Sequence, residues 1–163
     1  MGWELGVHIA DVAHFIPPGS PLDEEARERG NSVYLPRHVI PMLPEILSNG
    51  ICSLQEGVTR FCKSAFMTYD RDGRIRGEGV GATVIRSAKR LTYLEAQALI
   101  DGDLKEAARH ARTEPKYTDQ LIATLREMDT LARAIRERRR KQGMIHLELP
   151  EVNLIFDENG HVI

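Results

Sequence analysis

The chain has 163 residues, 42% hydrophobic and 28% charged, an ordinary globular balance that excludes collagen-like, mucin-like and long disordered classes. No apolar run approaches the roughly 20 residues that span a bilayer, and the opening Met1-Gly2-Trp3-Glu4 has neither a basic nor an apolar leader region, so neither a membrane segment nor a signal peptide is predicted. The formal net charge is −2, whereas a dedicated RNA module is often strongly basic, so overall charge gives no support to nucleic-acid binding.

Trp3 to Ala10 alternates apolar with small or polar residues and predicts a strand. It begins two residues from the start of the chain, and a strand needs a partner, so the opening reads as the middle of a domain. Asp11 is a candidate cap for a helical turn over Val12 to Phe15, which Pro17-Pro18-Gly19 breaks. Ser20, Pro21 and Asp23 form an Asp version of the capping box and predict a helix from Pro21 to about Arg29, stopping at Gly30-Asn31. Pro36, Pro41 and Pro44 forbid a long helix or a central strand over 33–47. Val39, Ile40, Met42 and Leu43 anchor that stretch as a packed loop, the kind of segment where binding residues concentrate, and a short helix follows Pro44 to near Asn49-Gly50. Cys52 and Cys62 belong to no CxxC pair; they read as buried thiols in a reducing compartment, most simply the cytoplasm.

Phe61–Tyr69 and Arg74–Ser87 predict an antiparallel hairpin about the turn Asp70-Arg71-Asp72-Gly73. Thr92 and Glu95 form a capping box opening a helix that ends near Asp101-Gly102-Asp103. Pro115 to about Gln142 predicts the longest helix, with the apolar stripe Tyr117, Leu121, Leu125, Met128, Ala132 and Ile135 and a basic end from Arg133 to Lys141, closed by Gly143. Two short strands, Val152–Phe156 and His161–Ile163, are predicted around Glu158-Asn159-Gly160. The fold class is α+β, a mixed or antiparallel sheet with packed helices in one unit, with slight grounds for a boundary near residue 112 and both ends reading as cut.

His8, Asp11 and His14 are metal-ligand types at three-residue steps. Such steps alternate faces on a strand, so convergence needs a sharp bend at Asp11; otherwise the three are a strand-end histidine, a capping aspartate and a packed histidine. Tyr34 lies in a Gly- and Pro-bounded loop, where an aromatic can stack on a nucleobase at roughly 1–3 kcal/mol per base, with Arg37 and His38 beside it for a phosphate. Taken alone, a loop tyrosine is more often packed with its hydroxyl satisfied. Tyr93 follows the basic Arg86, Lys89 and Arg90 and carries the same two readings. The Arg133–Lys141 helix end fits a phosphate backbone, but basic residues there also offset the helix dipole, and charge runs are usually solvated. Asp23, Glu24, Glu25 and Glu28 alternate with Arg27 and Arg29 as a solvated face. A two-metal nuclease instead needs carboxylates converging on ions ~3.5–4 Å apart. There is no P-loop, GxGxxG, well-spaced zinc set or GxSxG.

The segments GVHIADVAHFIPPGSPLDEEARERGNSVYLP (6–36), VIPMLPEILSNGICSL (39–54) and RLTYLEAQALI (90–100), and more loosely RKQGMIHLELPEVNLIFDENGHVI (140–163), carry a family signature in their order and spacing. On them the chain resembles the RNB catalytic domain of the ribonuclease II/R family, in its bacterial ribonuclease R form, with 101–139 the variable part. The resemblance implies a processive, Mg2+-dependent 3′-to-5′ exoribonuclease that releases nucleoside 5′-monophosphates from single-stranded RNA. It implies that Tyr34 stacks on a base at the RNA 3′ end and that Tyr93 lies near the terminal riboses, where the 2′-hydroxyl can be read; Arg37 is the candidate phosphate contact beside Tyr34.

The family's magnesium-holding Asp-Asp-Ala motif would fall before Met1 and its arginine motif beyond Ile163; none of Asp11, Asp23 or Asp72 matches either. The family's cold-shock and S1 domains find no match in these residues. The expectation is a fragment, 1–163, truncated at both ends, that keeps part of the RNA channel with no catalytic residue or metal of its own. Its partners would be the 3′ end of single-stranded RNA and the remainder of the catalytic domain. The alternative is a non-catalytic RNA-binding or scaffold piece.

Overall fold

The computed structural model describes residues 2–35, 38–147, 149, 157 and 158. Its centre is an antiparallel sheet of three strands in the order β1 (Trp3–Ala10), β4 (Thr59–Tyr69), β5 (Ile75–Arg86). A separate two-stranded ribbon pairs β2 (Val33–Leu35) with β3 (His38–Ile40), so the proline-bounded stretch read as loop contains a short hairpin. Its strands are only three residues each, consistent with the prolines that bar longer ones. A wide helical turn over Ile46–Ile51 follows, with the Cys52 N–H donating to the Leu47 carbonyl five residues back.

Helix α1 (Pro21–Arg29) starts where Ser20 accepts a bond from the Asp23 N–H, and Gly30 ends it at φ 70°. Asp23 reaches back to the Gly19 N–H rather than to that of Ser20, so the capping box is offset by one residue. At α2 (Tyr93–Asp101) the box closes fully: Thr92 Oγ1 accepts from Glu95 N–H and Glu95 Oε2 accepts from Thr92 N–H. A helix the sequence reading did not contain, α3 (Leu104–His110), is capped by Asp103, whose Oδ1 accepts from both Lys105 and Glu106 N–H. The two strands predicted within 152–163 lie outside the described residues.

The long helix α4 runs Asp119–Lys141, four residues shorter at its start than expected from Pro115. The physical reason is tertiary. Thr118 caps the helix through the Leu121 N–H, while Lys89 binds the Glu114 carbonyl and Glu95 binds the Tyr117 hydroxyl, and both hold 114–117 out of the helix. The expected stripe is also corrected. Leu125, Ile122 and Tyr117 pack on the buried Ala98, Leu99 and Ala107 of α2 and α3, but further along Leu131 is the buried residue, while Met128 and Ala132 are exposed. The inward face drifts because α4 packs on the helical pair near its start and meets the β4–β5 turn at Ala134 and Ile135 near its end.

At that far end the turn between β4 and β5 is seated on α4. Asp70 Oδ1 accepts the N–H groups of Asp72 and Arg74, and its Oδ2 binds Arg76 at 2.7 Å. Those bonds, the Arg74 N–H first, hold the Asp70 carboxyl below the usual carboxylate range. Gly73 sits at φ 72°, and a Cβ there would lie 2.8 Å from the Ile135 nitrogen. Gly73→Ala should therefore cost about 2–4 kcal/mol, from overpacking and a left-handed backbone together. Gly81→Ala, whose Cβ meets open space, should be near neutral. Urea midpoints for the two variants test this; equal midpoints would show that the turn is not seated on the helix.

Strand register puts Trp3, Leu5, Val7 and Ile9 on one sheet face with Tyr69, Met67, Ala65 and Val80. Where α4 approaches that face, Trp3 Nε1 donates to Glu127 at 2.7 Å. At the other end Val7, Ile9, Val80 and Val84 are left exposed.

Candidate nucleic-acid interface

The chain has four tyrosines, and their surroundings divide them in two. Tyr69 is buried and Tyr117 is half-buried with its hydroxyl on Glu95 at 2.9 Å. Tyr34 is 79% exposed and Tyr93 is 97% exposed. Burying a ring is strongly favourable, yet the described residues pack neither Tyr34 nor Tyr93, so the packed reading of both is not met within them.

Tyr34 is the middle residue of β2, paired with Val39 across the ribbon. The ribbon is tied down by the Ser32 hydroxyl, which accepts the Met42 N–H, and by Arg29, which donates to the Pro41 carbonyl. Arg37, the expected phosphate contact, lies outside the described residues; His38 pairs with Leu35 in the ribbon.

Tyr93 is the first residue of α2 and stands at the edge of an open recess of about 430 Å3 formed with Arg90, Leu91, Thr92 and Arg112. The basic patch expected before it is only partly available. Arg86 donates to the Gly57 carbonyl. Lys89, with a side chain only 4% exposed, binds Glu56 at 3.1 Å and donates to Thr113 Oγ1 at 2.8 Å. Thr113 and the Arg90 N–H bind the same carboxylate, which with Lys89 hold the Glu56 carboxyl below its ordinary range, the Thr113 bond contributing most. Lys89 is thus a strut for the segment carrying Tyr93, and Arg90 is the cation of that group that lines the recess. Arg112 was not legible as its companion, because it comes from the stretch after α3, twenty-two residues away, with no local motif around it.

Beneath Tyr93 the buried Glu95 joins two bonds, to the Thr92 N–H and to the Tyr117 hydroxyl. Burial, then the bond to Glu95 and its charge, pushes the Tyr117 phenol up to about 12.

His8, Asp11 and His14 are not brought together as a ligand set. His8 Nδ1 lies 2.6 Å from Ser64 Oγ, His14 stacks on Phe61 with centroids 4.3 Å apart, and Asp11 pairs with Lys63 at 3.2 Å. Asp11 makes no side-chain capping bond, which corrects the expected cap; the salt bridge takes its Oδ2, and Oδ1 is buried without a partner. Among the described residues no three His, Cys, Asp or Glu side chains are grouped so as to hold a metal ion. The described residues therefore do not fit the magnesium site that the resemblance implies. No described helix is long and apolar enough to cross a membrane.

The family model for the RNB domain matches residues 1–163. Ribonuclease R of Thermotoga maritima is 46% identical over 160 residues, which are 98% of this chain and 21% of that protein. The chain thus spans about a fifth of the length of the curated relatives it matches. Among solved structures, Mycoplasma genitalium RNase R in complex with ribose-methylated single-stranded RNA superposes with a TM-score of 0.85 at 32% identity, covering 98% of this chain and 24% of that one. Yeast Ssd1, described as a pseudonuclease, superposes at a TM-score of 0.59 and 27% identity, covering 83% of this chain and 15% of that one.

Proposed function

The chain belongs to the RNB domain family, and on that footing we propose that it is the substrate-gripping part of a processive 3′-to-5′ exoribonuclease acting on single-stranded RNA. The observation that carries this is the pair of solvent-held rings: Tyr34 and Tyr93, to which the resemblance assigns base stacking and ribose reading, are the exposed tyrosines. Tyr34 stacks on a base near the 3′ end, and Tyr93 lies against a terminal ribose with Arg90 and Arg112 for its phosphates. Arg37 is a further phosphate contact beside Tyr34. The structure of a relative, M. genitalium RNase R, in complex with single-stranded RNA supports RNA as the ligand class.

In the whole protein the chemistry is Mg2+-dependent release of nucleoside 5′-monophosphates. No residue of this chain matches the family's Asp-Asp-Ala motif, so the 163 residues bind RNA without cutting it. The uncovered apolar end of the sheet, Val7, Ile9, Val80 and Val84, is where the rest of the catalytic domain packs. The second reading, a non-catalytic RNA-binding or scaffold piece, draws support from the similarity to a yeast pseudonuclease.

A single preparation tests both. The chain is titrated with a 3′-fluorescent 12-nucleotide oligoadenylate and its DNA counterpart, then incubated with Mg2+. Binding that prefers RNA, weakens with salt and yields no mononucleotide is expected. Mg2+-dependent mononucleotide release would overturn the assignment of chemistry elsewhere; no preference for RNA would remove the ribose-reading role of Tyr93.

A further inference from the structure

We propose that the recess between the β4–β5 turn and the end of α4 is a second phosphate-binding site, which takes the backbone of an RNA strand running outside the Tyr34 and Tyr93 region. The proposal rests on the reading of the chain as an RNA binder, and it concerns residues that reading does not use. The recess has a volume of about 790 Å3 and is lined by Arg71, Asp72 and Arg74 from the turn and Glu137, Arg138 and Lys141 from the helix.

Three observations separate it from a merely solvated basic face. First, the walls are built. Gly73 is buried against the α4 backbone at Ala134 and Ile135, and Asp70 locks the turn through two backbone N–H groups and Arg76. The cations are therefore set on two elements that hold one another. Second, the acidic charge on the helix wall is already paired. Arg140 and Lys141 both pair with Glu137, whose carboxyl they hold below its ordinary range, the Arg140 bond most of all. Glu137 is thus a neutralised lining residue rather than a repulsive one, leaving Asp72 as the acidic member of the wall.

Third, Arg138 lines the recess, and its buried Nε–H has no acceptor among the described residues. A buried guanidinium donor normally has a partner, and an oxyanion is the partner whose geometry a guanidinium fork fits best. Arg74 lines the same space, and among the described residues no salt bridge or side-chain hydrogen bond engages it. Two arginines converging from a turn and a helix suit a phosphodiester, which presents two oxygens to two donors. RNA is favoured over a free anion because the relatives that match most of this chain are ribonucleases, and because the basic run Arg133–Lys141 continues the positive field along α4.

The test uses the full 163-residue chain labelled with 15N, following the Arg138 Nε–H resonance during titration with inorganic phosphate and with a 12-nucleotide oligoadenylate. Both should move it. In anisotropy titrations the double variant R74Q/R138K should bind the oligoadenylate about 3- to 10-fold more weakly. Its slope of log affinity on log salt should be shallower by about 0.7, the one charge that R74Q removes from a single-strand contact. R138K keeps the charge and removes the guanidinium fork, and circular dichroism checks that α4 stays helical. R126Q changes the charge on α4 away from the recess and should leave affinity within twofold. An unmoved Arg138 resonance, or wild-type affinity and salt slope in the double variant, would overturn the site. A shift with inorganic phosphate alone would mark a free-phosphate site and overturn the RNA assignment. Tyr34→Ala separates the two proposals: weakening there with none in R74Q/R138K sinks the recess alone, and the reverse sinks the stacking role alone.

Discussion

Replacing Glu95 with alanine should lower the unfolding free energy by about 2–4 kcal/mol and loosen the segment that presents Tyr93. The carboxylate is fully buried at the first turn of α2. One oxygen accepts the Thr92 N–H and completes the cap; the other accepts the Tyr117 hydroxyl at 2.9 Å. Losing the cap costs roughly 1 kcal/mol, and orphaning a desolvated hydroxyl costs about 1–3 kcal/mol more. Its position at the helix N-terminus adds a favourable interaction with the helix dipole, which alanine forfeits. Glu95→Gln keeps the shape and an acceptor, so it should lose distinctly less. Urea unfolding followed by circular dichroism reads both; equal loss in the two variants would mean that the carboxylate charge, and not side-chain shape or a retained acceptor, carries the effect.

The same pair sets an alkaline limit. The Tyr117 phenol is raised from 10.0 to about 12 by burial and by Glu95, so the folded state holds that proton more tightly than the unfolded chain. The associated stability is fully present below pH 10 and is lost as pH rises towards 12. Tyr117→Phe should flatten the fall in unfolding midpoint between those values. A midpoint that falls as steeply in the variant would place the alkaline sensitivity elsewhere.

Glu95 also shows what kind of information the sequence carries. Thr92-x-x-Glu95 announces a helix start because the bonds involved span three residues, and the structure forms that box in full. The hairpin around Asp70–Gly73 and the strand Trp3–Ala10 were legible for the same reason: alternation and turn chemistry are local. The start of α4 was not. Lys89 and Glu95, more than twenty residues away, hold 114–117 extended against a proline that favours a helical beginning. Lys89 itself looked like a surface cation, and only the fold reveals it as a buried strut on Glu56 and Thr113. The ribbon Val33–Ile40 had too few residues per strand to stand out between prolines. The two tyrosines were visible as candidates but not separable from packed ones, because exposure is a property of what the rest of the chain fails to cover.

That exposure makes Tyr34 the sharper functional test. Its side chain contributes little to a core, so Tyr34→Ala should leave the urea midpoint in place while weakening binding of a 3′-labelled oligoadenylate about 5- to 100-fold, the ~1–3 kcal/mol of one base stack. Tyr34→Leu restores apolar area without a π face and should rescue little; Tyr34→Phe keeps the ring and should rescue most. That ordering separates stacking from simple hydrophobic contact, which leucine would satisfy. Tyr93 behaves differently if it reads the sugar. Tyr93→Phe should reduce the ratio of RNA to DNA affinity more than it reduces affinity for DNA, since the 2′-hydroxyl exists only in the former. Tyr93 lines its recess with Arg90 and Arg112, so phosphate contacts that tolerate either sugar remain when the hydroxyl is removed. Tyr34→Ala binding within twofold of wild type would remove the ring from the RNA path and leave the arginines as the chain's grip on its substrate.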